Sequence, residues 1–487
     1  SKNRNFAGNR LCPLACDKYL QNFLKTRKDS SKSQILSDQK SYFRDALLSS
    51  TINERILKIK TLRKWIVNNE QYIIKTCLKD YKKPLSEFYT TEFKPVLNHI
   101  DFTLKNIKTW TARKSVWTPI HLIGTKSKIY YEPKGVCLII SPWNYPFNLT
   151  LNPMVSAIAA GNCIVVKPSE FTPNTSSLLK KIAVSIFSEK EIAVIEGDYH
   201  VGSYLINLKF DHIFFTGSPD IGKIVMQAAS KNLASITLEL GGKNHTVVDE
   251  TANIKDAVEK ILWSKYVNCG QTCIAVNHVF VHKKSYDLFL THLDSVLEYF
   301  FSKEFDYGEI VNEKHHDRLT LLLKQCLDHS GSVLSTSKTS LSNKHFPLTV
   351  IKDVSIDNPI LNNEIFGPIL PVVVYDDFDA VVDFINKKDK ALAMYLFTKS
   401  NKRINRFLNF TSSGTVAIND CMLQYANPNL PFGGVNNSGL GRTGGHNGFL
   451  EFSNKKSVLF QKSGFSIAKL IYPPYTNLKQ KLAKILG

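Results

Sequence analysis

The order of apolar and polar positions divides the chain into a helical opening, an extended strip and two alternating stretches. From 38 to 108, apolar residues recur at helical spacing, as in Ile56, Ile59 and Ile66, because residues three, four and seven apart share one face of a helix. Residues 113–135 read as extended, with Val116, Ile120, Leu122, Ile129 and Tyr131 set between turns at Pro119 and Gly124. Strand patterns at 136–140, 163–166, 192–195 and 212–215 then alternate with helical patterns at 152–160, 176–187 and 221–230. A second set has strands at 236–240, 246–248, 278–281, 371–375, 393–397 and 415–418, with helices at 254–267 and 286–300. Such alternation predicts an α/β fold of parallel β–α–β units with right-handed crossovers. Open sheets of this kind take ligands beyond the carboxyl ends of their strands.

Length changes the picture little: 487 residues exceed one ordinary domain. The formal charge of +20 raises the question of a nucleic-acid partner. The basic residues are mostly lysines scattered along the chain without a nucleic-acid-binding motif, which reads as a dispersed surface. Nine cysteines at irregular spacing suit a reducing compartment, hence a cytoplasmic setting. Cys12 and Cys16 have no second Cys/His pair to complete a metal site, so none is expected. His315-His316 reads as a solvated helix face. No apolar run is long enough to span a membrane. Residues 1–33 are polar without an apolar signal core and read as a flexible arm, with organelle targeting left open.

The chemistry gathers in six segments. Asn268-Cys269-Gly270-Gln271-Thr272-Cys273 places a thiol, Cys273, after a glycine turn, and Glu239 lies 34 positions upstream in Leu238-Glu239-Leu240-Gly241-Gly242-Lys243. A thiol and a carboxylate can attack a carbonyl and then hydrolyse the resulting thioester. Both fall in the second alternating set, which assigns them to the second lobe. Phe214-Phe215-Thr216-Gly217-Ser218-Pro219-Asp220-Ile221-Gly222 ends a strand in a G-x-x-x-x-G turn entering a helix, where free N–H groups and the helix dipole suit a phosphate. Ile139-Ile140-Ser141-Pro142-Trp143-Asn144 follows a buried strand, and an amide such as Asn144 can donate to a developing oxyanion. Lys167-Pro168-Ser169-Glu170 and Glu364-Ile365-Phe366-Gly367-Pro368 complete the set.

In this order the segments resemble the NAD(P)-dependent aldehyde dehydrogenase superfamily over roughly residues 35–475, and the Phe-Phe-Thr-Gly-Ser-Pro form resembles its class 3 branch for fatty and aromatic aldehydes. The resemblance implies two Rossmann-like lobes with a small oligomerisation sheet. It implies Cys273 as nucleophile, Glu239 as general base, and Asn144 with the Cys273 N–H as oxyanion hole. Cys269 matches a common non-catalytic position. It further implies cofactor contacts from Ile140, Ser141, Pro142, Trp143, Lys167, Ser169, Glu170, Thr216, Gly217, Ser218, Ile221, Gly222, Leu240, Gly241, Glu364 and Phe366. A carboxylate at 170 would accept from a ribose hydroxyl and repel a 2′-phosphate, so NAD is expected, with NADP admitted.

Segment 431–439 resembles the family's late substrate-side loop, and 448–460 its subunit-bridging strand. A homodimer is expected from them, since a partner would cover the free strand edge. Tyr472-Pro473-Pro474 also fits the class 3 branch. The short amphipathic stretch 478–486 either packs on its own protein or touches a membrane surface. The expected divisions are 34–112 with 136–238 for the dinucleotide, 239–430 for catalysis, and 113–135 with 431–487 for oligomerisation and tail. Three residues depart from the family pattern. His245 stands where proline is usual, and Val276 and Asn277 stand where proline and an acidic residue are frequent. The competing reading is a catalytically silent or nucleic-acid-binding protein on the same fold.

Overall fold

The structure, a computed structural model, describes residues 27–302, 307–337, 342–464 and 466–486; Cys12, Cys16 and most of the expected arm lie outside them. Residues 27–33, expected within that arm, instead belong to the first turns of the Arg27–Asp45 helix. Buried Gln39 docks this helix by donating to the carbonyls of Ile164 and Glu189. The helical opening is real but divided. The Ile52–Asn68 helix starts at a capping box in which Thr51 and Glu54 satisfy each other's backbone N–H. It is followed by Glu70–Cys77 and Lys94–Trp110.

Two strands, β1 (Lys114–Val116) and β2 (Thr125–Pro133), leave this body as an antiparallel ribbon. The first lobe is then built from β3 (Val136–Ile140), β4 (Cys163–Lys167), β5 (Ile192–Val194), β6 (His212–Thr216) and β7 (Ser235–Glu239). They run parallel in the order β7-β6-β3-β4-β5, so the order reverses beside β3. The second lobe holds β8 (His245–Val248), β9 (His278–His282), β10 (Ser332–Thr336), β11 (Thr349–Lys352), β12 (Ile369–Tyr375), β13 (Ala393–Phe397) and β14 (Thr415–Ile418). Their order is β10-β11-β12-β9-β8-β13-β14, parallel except for β10 against β11. Central strands such as β9 and β13 are buried along their whole length, which is why they read as apolar runs rather than alternations.

Two strands return. β15 (Gly439–Leu440) pairs antiparallel with the end of β7, and β16 (Ser453–Gln461) pairs with the full length of β2. The 431–487 stretch is therefore divided: β15 and the Gly445–Glu451 helix pack into the first lobe, and β16 alone joins the small sheet. The Asn477–Leu486 helix lies against the Ile467–Ile471 turn. Among the described residues no helix is long and apolar enough to cross a membrane.

The lobe assignment of Glu239 needs correction. Glu239 ends β7 and is held in register by Thr216 on one side and Gly439 on the other, so it belongs to the first sheet. Cys273 precedes β9 and belongs to the second. Residues 236–240 and 246–248 lie close in sequence and read as one set, but the chain crosses between sheets at 240–244.

Candidate active site

Cys273 follows a turn of three consecutive left-handed residues, Asn268 (φ 53°), Cys269 (φ 53°) and Gly270 (φ 66°). Asparagine and glycine tolerate this region, whereas Cys269 stores strain on the order of 1–3 kcal/mol. The turn is over-determined by its partners. Asn268 N donates to Glu87 Oε2 at 2.8 Å, and Gln271 Nε2 donates to the carbonyls of Asn268 (2.9 Å) and Glu309 (3.0 Å). Gln271 Oε1 accepts from Val311 N at 3.1 Å. At Gly270 a Cβ would stand 2.5 Å from the Gly367 carbonyl oxygen, so only glycine fits. Cys269 is fully buried and its thiol is pushed well up by burial. Cys273 is partly exposed, in the cavity.

Asn144 is 4% exposed, and its loop is clamped through its own carbonyl. That oxygen accepts from Tyr81 Oη (2.6 Å), Lys83 Nζ (3.2 Å) and Asn268 Nδ2 (3.1 Å). Lys83 is buried and paired with Glu92 at 3.2 Å, and Glu92 also accepts from the N–H groups of Phe147 and Asn148. The Asn144 amide donates to the Gln271 carbonyl at 3.1 Å, which joins the two loops. Thr272 Oγ1 and Tyr145 Oη lie 2.5 Å apart and make a second link.

Glu239, Thr216, Leu240, Thr272 and Cys273 line one cavity of about 300 Å³. Its other walls include Leu149, Trp263, Ile274, Met422, Tyr425 and Phe432, and it reaches Thr90, Lys94 and Asn98. Neither Glu239 oxygen has a hydrogen-bond partner. Burial pushes its pKa well above the usual carboxylate range, Arg442 opposing and Glu451 adding. Burial pushes the Cys273 thiol up to about 12, reinforced by the Glu239 and Glu364 carboxylates and opposed by the N–H groups of Cys273 and Ile274.

The expected cofactor residues gather at the carboxyl ends of β3, β4, β6 and β7. Ile140 ends β3 and Ser141 through Trp143 follow it, and Ser141 Oγ is buried without a partner. Lys167 Nζ meets Glu170 Oε2 at 2.6 Å beyond β4, where Ser169 Oγ accepts from Phe171 N. Thr216, Gly217 and Ser218 lead into the Pro219–Ser230 helix, whose first turn has no side-chain cap and leaves its N–H groups open. Gly222 proves to be a packing glycine: a Cβ there would stand 2.7 Å from Leu240 Cδ2. Ile221, beside it, is half-exposed.

Glu364 reaches back from the second lobe. Its Oε1 accepts from Gly242 N at 3.1 Å, and a Cβ on Gly241 would lie 2.1 Å from Oε2. Burial raises Glu364 to about 7, moderated by Gly242 N–H, Arg318, Lys243 and Lys265. Phe366 sits at φ 45°, edge-on to Trp143 with centroids 5.4 Å apart. Two residues outside the sequence expectation support this loop. Arg318 donates to the carbonyls of Ile365 and Phe366, and Lys265 donates to that of Gly367. His315, expected on a solvated face, is half-buried against Trp143 at 5.0 Å, and burial pushes it down to about 4. The signal for His315 and Arg318 was their i, i+3 spacing on one helix face; Lys265, on the Ile254–Tyr266 helix, had no such signal. Among the described residues no cluster of His, Cys, Asp or Glu could hold a metal ion.

The Aldehyde dehydrogenase family model matches residues 28–458. The chain belongs to this family. It is 41% identical to 4,4′-diaponeurosporen-aldehyde dehydrogenase of Staphylococcus aureus, over 91% of this chain and 96% of that one. It is 37% identical to aldehyde dehydrogenase family 3 member B2 of Mus musculus, over 88% of this chain and 89% of that one, which agrees with the class 3 resemblance. The solved substrate-bound state of Staphylococcus aureus AldH superposes with a TM-score of 0.89 at 39% identity, covering 93% of this chain and 99% of that one. An NAD(P)-dependent aldehyde dehydrogenase is thus the supported activity, in preference to the silent or nucleic-acid-binding reading.

Proposed function

We propose that Cys273, Glu239 and Asn144 form the reacting centre of this aldehyde dehydrogenase, and that the crevice at the strand ends holds NAD, with NADP as a second cofactor. The observation that carries this reading is that Cys273 and Glu239, contributed by different sheets, line one cavity whose apolar walls suit a medium- or long-chain aliphatic or aromatic aldehyde. The residues present fit the dinucleotide. Open N–H groups at the Pro219–Ser230 helix suit its phosphates, the bare Gly241 Cα leaves room beside Glu364, and the unpartnered Ser141 hydroxyl faces no competing group in the protein. Lys167 and Glu170 would take the adenine ribose, and Glu364 and Phe366 the nicotinamide end. When bound, NAD supplies the hydride acceptor.

The protein's part follows from its own groups. Cys273 Sγ attacks the aldehyde carbon, and the Asn144 amide and the Cys273 N–H take the oxyanion. The carbon then loses hydride and a thioester remains on Cys273. Glu239 removes a proton from water, the hydroxide attacks the thioester carbonyl, the C–S bond breaks to free the carboxylic acid and the Cys273 thiolate, and Glu239 loses its proton to solvent. The test is nicotinamide reduction, followed by absorbance, across aldehydes of increasing chain length. No reduction with any aldehyde would refute the reading.

Two predictions arise from this geometry. Asn144→Ala should lower kcat about 10²–10³-fold, the usual effect of losing one oxyanion donor, with little change in NAD affinity measured by fluorescence titration. The pH profile is the second. Cys273 and Glu239 both act deprotonated, and burial raises both, so each gains its active form only as pH increases. The kcat/KM profile should therefore climb through neutrality into the alkaline range, and an acidic optimum would contradict the assignment.

The small sheet supports a homodimer. The outer edge of β16 has no strand partner among the described residues, and Trp117, Ile120, Leu459 and Phe460 are exposed on this sheet and its connection. A second copy covering that edge would remove both liabilities.

A further inference from the structure

Two neighbouring strands of the second lobe are preceded and begun by the same dipeptide: Asn244-His245 at β8 and Asn277-His278 at β9. The strands pair in parallel with His245 opposite His278, and Asn277 N donates to the Asn244 carbonyl at 3.1 Å. Each asparagine holds a different loop of the site. Asn244 Nδ2 donates to the carbonyls of Cys273 (2.7 Å) and Ala275 (2.8 Å), and its Oδ1 accepts from Ala393 N (2.9 Å). Asn277 brackets Glu364: its Oδ1 accepts from Ile365 N at 2.8 Å, and its Nδ2 donates to the Asn363 carbonyl at 2.9 Å. The two rings run from the asparagine that brackets Glu364 to the start of β8, next in sequence to the asparagine that holds the Cys273 loop. Asn277 Nδ2 is 3.2 Å from His278 Nδ1, and His278 Nε2 is 2.8 Å from His245 Nδ1. All four side chains are buried.

The backbone fixes the direction of this chain of bonds. The Ile365 N–H identifies the Asn277 oxygen and the Asn363 carbonyl identifies its nitrogen, so the amide cannot be reversed without losing both. The second hydrogen of Asn277 Nδ2 then points to a bare His278 Nδ1. His278 carries its proton on Nε2 and donates it to a bare His245 Nδ1. His245 is left with its proton on Nε2, which has no partner. Burial keeps both rings neutral, pushing His245 down to about 3 and His278 well below its usual value.

We propose that Asn277, His278 and His245 form a one-directional hydrogen-bond relay that positions the Glu364–Phe366 loop against the loop carrying Cys273, a device of this chain rather than of the family pattern. They are positioning residues, and the proposal rests on the reading of Glu364 and Phe366 as the nicotinamide-facing pair. The residues usual at these positions could not build it. An aspartate at 277 would accept from Ile365 N but set a carboxylate oxygen against the Asn363 carbonyl, and it would draw a proton onto His278 Nδ1. A proline at 245 has no ring nitrogen to accept.

The test joins spectroscopy to cofactor binding. In the wild-type protein labelled with ¹⁵N-histidine, long-range ¹⁵N–¹H correlation should show both His245 and His278 neutral with the proton on Nε2, assigned by comparison with His245→Phe. A proton on Nδ1 of either ring overturns the relay whatever the variants do. Asn277→Asp should move the His278 proton to Nδ1 and weaken NAD binding about tenfold, the effect of one buried hydrogen-bond mismatch. The KM for aldehyde should change less than about twofold, because the substrate cavity is untouched. Unchanged NAD binding in a folded Asn277→Asp protein also overturns the proposal. Glu364→Gln is the control for the parent reading. If it leaves NAD binding and kcat unaltered, the nicotinamide assignment fails and the relay's role fails with it. If it weakens them while Asn277→Asp does not, only the relay fails.

Discussion

Cys273→Ala should abolish aldehyde-dependent NADH formation, a loss of at least about 10³-fold in kcat/KM, as for other nucleophiles that act within a catalytic unit, while the protein stays folded. Cys273 is the partly exposed thiol of the cavity, whereas Cys269 is sealed beneath it with a thiol that burial holds protonated. No other sulfur lines that cavity except the thioether of Met422. The measurement is the rate of absorbance gain with saturating aldehyde, together with a thermal unfolding midpoint. Since the Cys273 thiol meets the N–H groups of Cys273 and Ile274 while the turn itself is held through Asn268 and Gln271, the midpoint should hardly move. Residual turnover within tenfold of wild type would transfer the chemistry to another group.

Glu239→Gln should separate the two halves of the reaction. Thioester formation needs the thiol and the oxyanion donors, whereas thioester hydrolysis needs a base for water. Rapid mixing should therefore show a burst of NADH stoichiometric with enzyme, followed by a steady rate about 10²–10⁴-fold below wild type, the usual span for a general base. Intact-mass analysis after the burst should find the acyl adduct. Loss of the burst itself would mean that Glu239 also deprotonates Cys273. That outcome has a physical route, because the two groups influence each other's charge. Glutamine suits the test, as it keeps the shape of a side chain whose oxygens contact no donor in the protein.

Much of this architecture was legible in the sequence, for reasons that also explain the omissions. Buried strands such as 136–140 and 393–397 announce themselves by unbroken apolar runs, and the observed β3 and β13 have those bounds. The helices Tyr199–Ile206, Phe378–Asn386 and Asn401–Phe410 have no counterpart in the sequence reading, although their caps at Asp198, Asp377 and Ser400 stand in the sequence. All three are short, at most ten residues. The sheet to which a strand belongs is a long-range pairing, and nothing local to 236–240 says that β7 joins β6. That is how Glu239 was assigned to the wrong lobe.

The proposed site divides the same way. Its Cys273, Glu239 and Asn144 are singled out by their motifs, whereas the residues that hold them have no such mark. Gln271, read only as part of a motif, ties its turn to Glu309 and Val311. Asn277 and His245 read as departures of uncertain effect because their partners lie far off in sequence: Asn277 meets Ile365 88 positions away, and His245 meets His278 33 positions away. A side chain that completes a hydrogen-bond network has no signature until the network is assembled.

The contribution of sulfur and carboxylate from different sheets has a consequence during synthesis. Cys273 leaves the ribosome long before β13, β14 and β15 exist to complete its surroundings, and β15 is the strand that fastens Glu239 in place. A nascent chain therefore carries this cysteine without its finished surroundings while roughly the third of the chain from 273 to 440 is made. The surroundings proposed for the reaction are therefore complete only when nearly the whole polypeptide has been made.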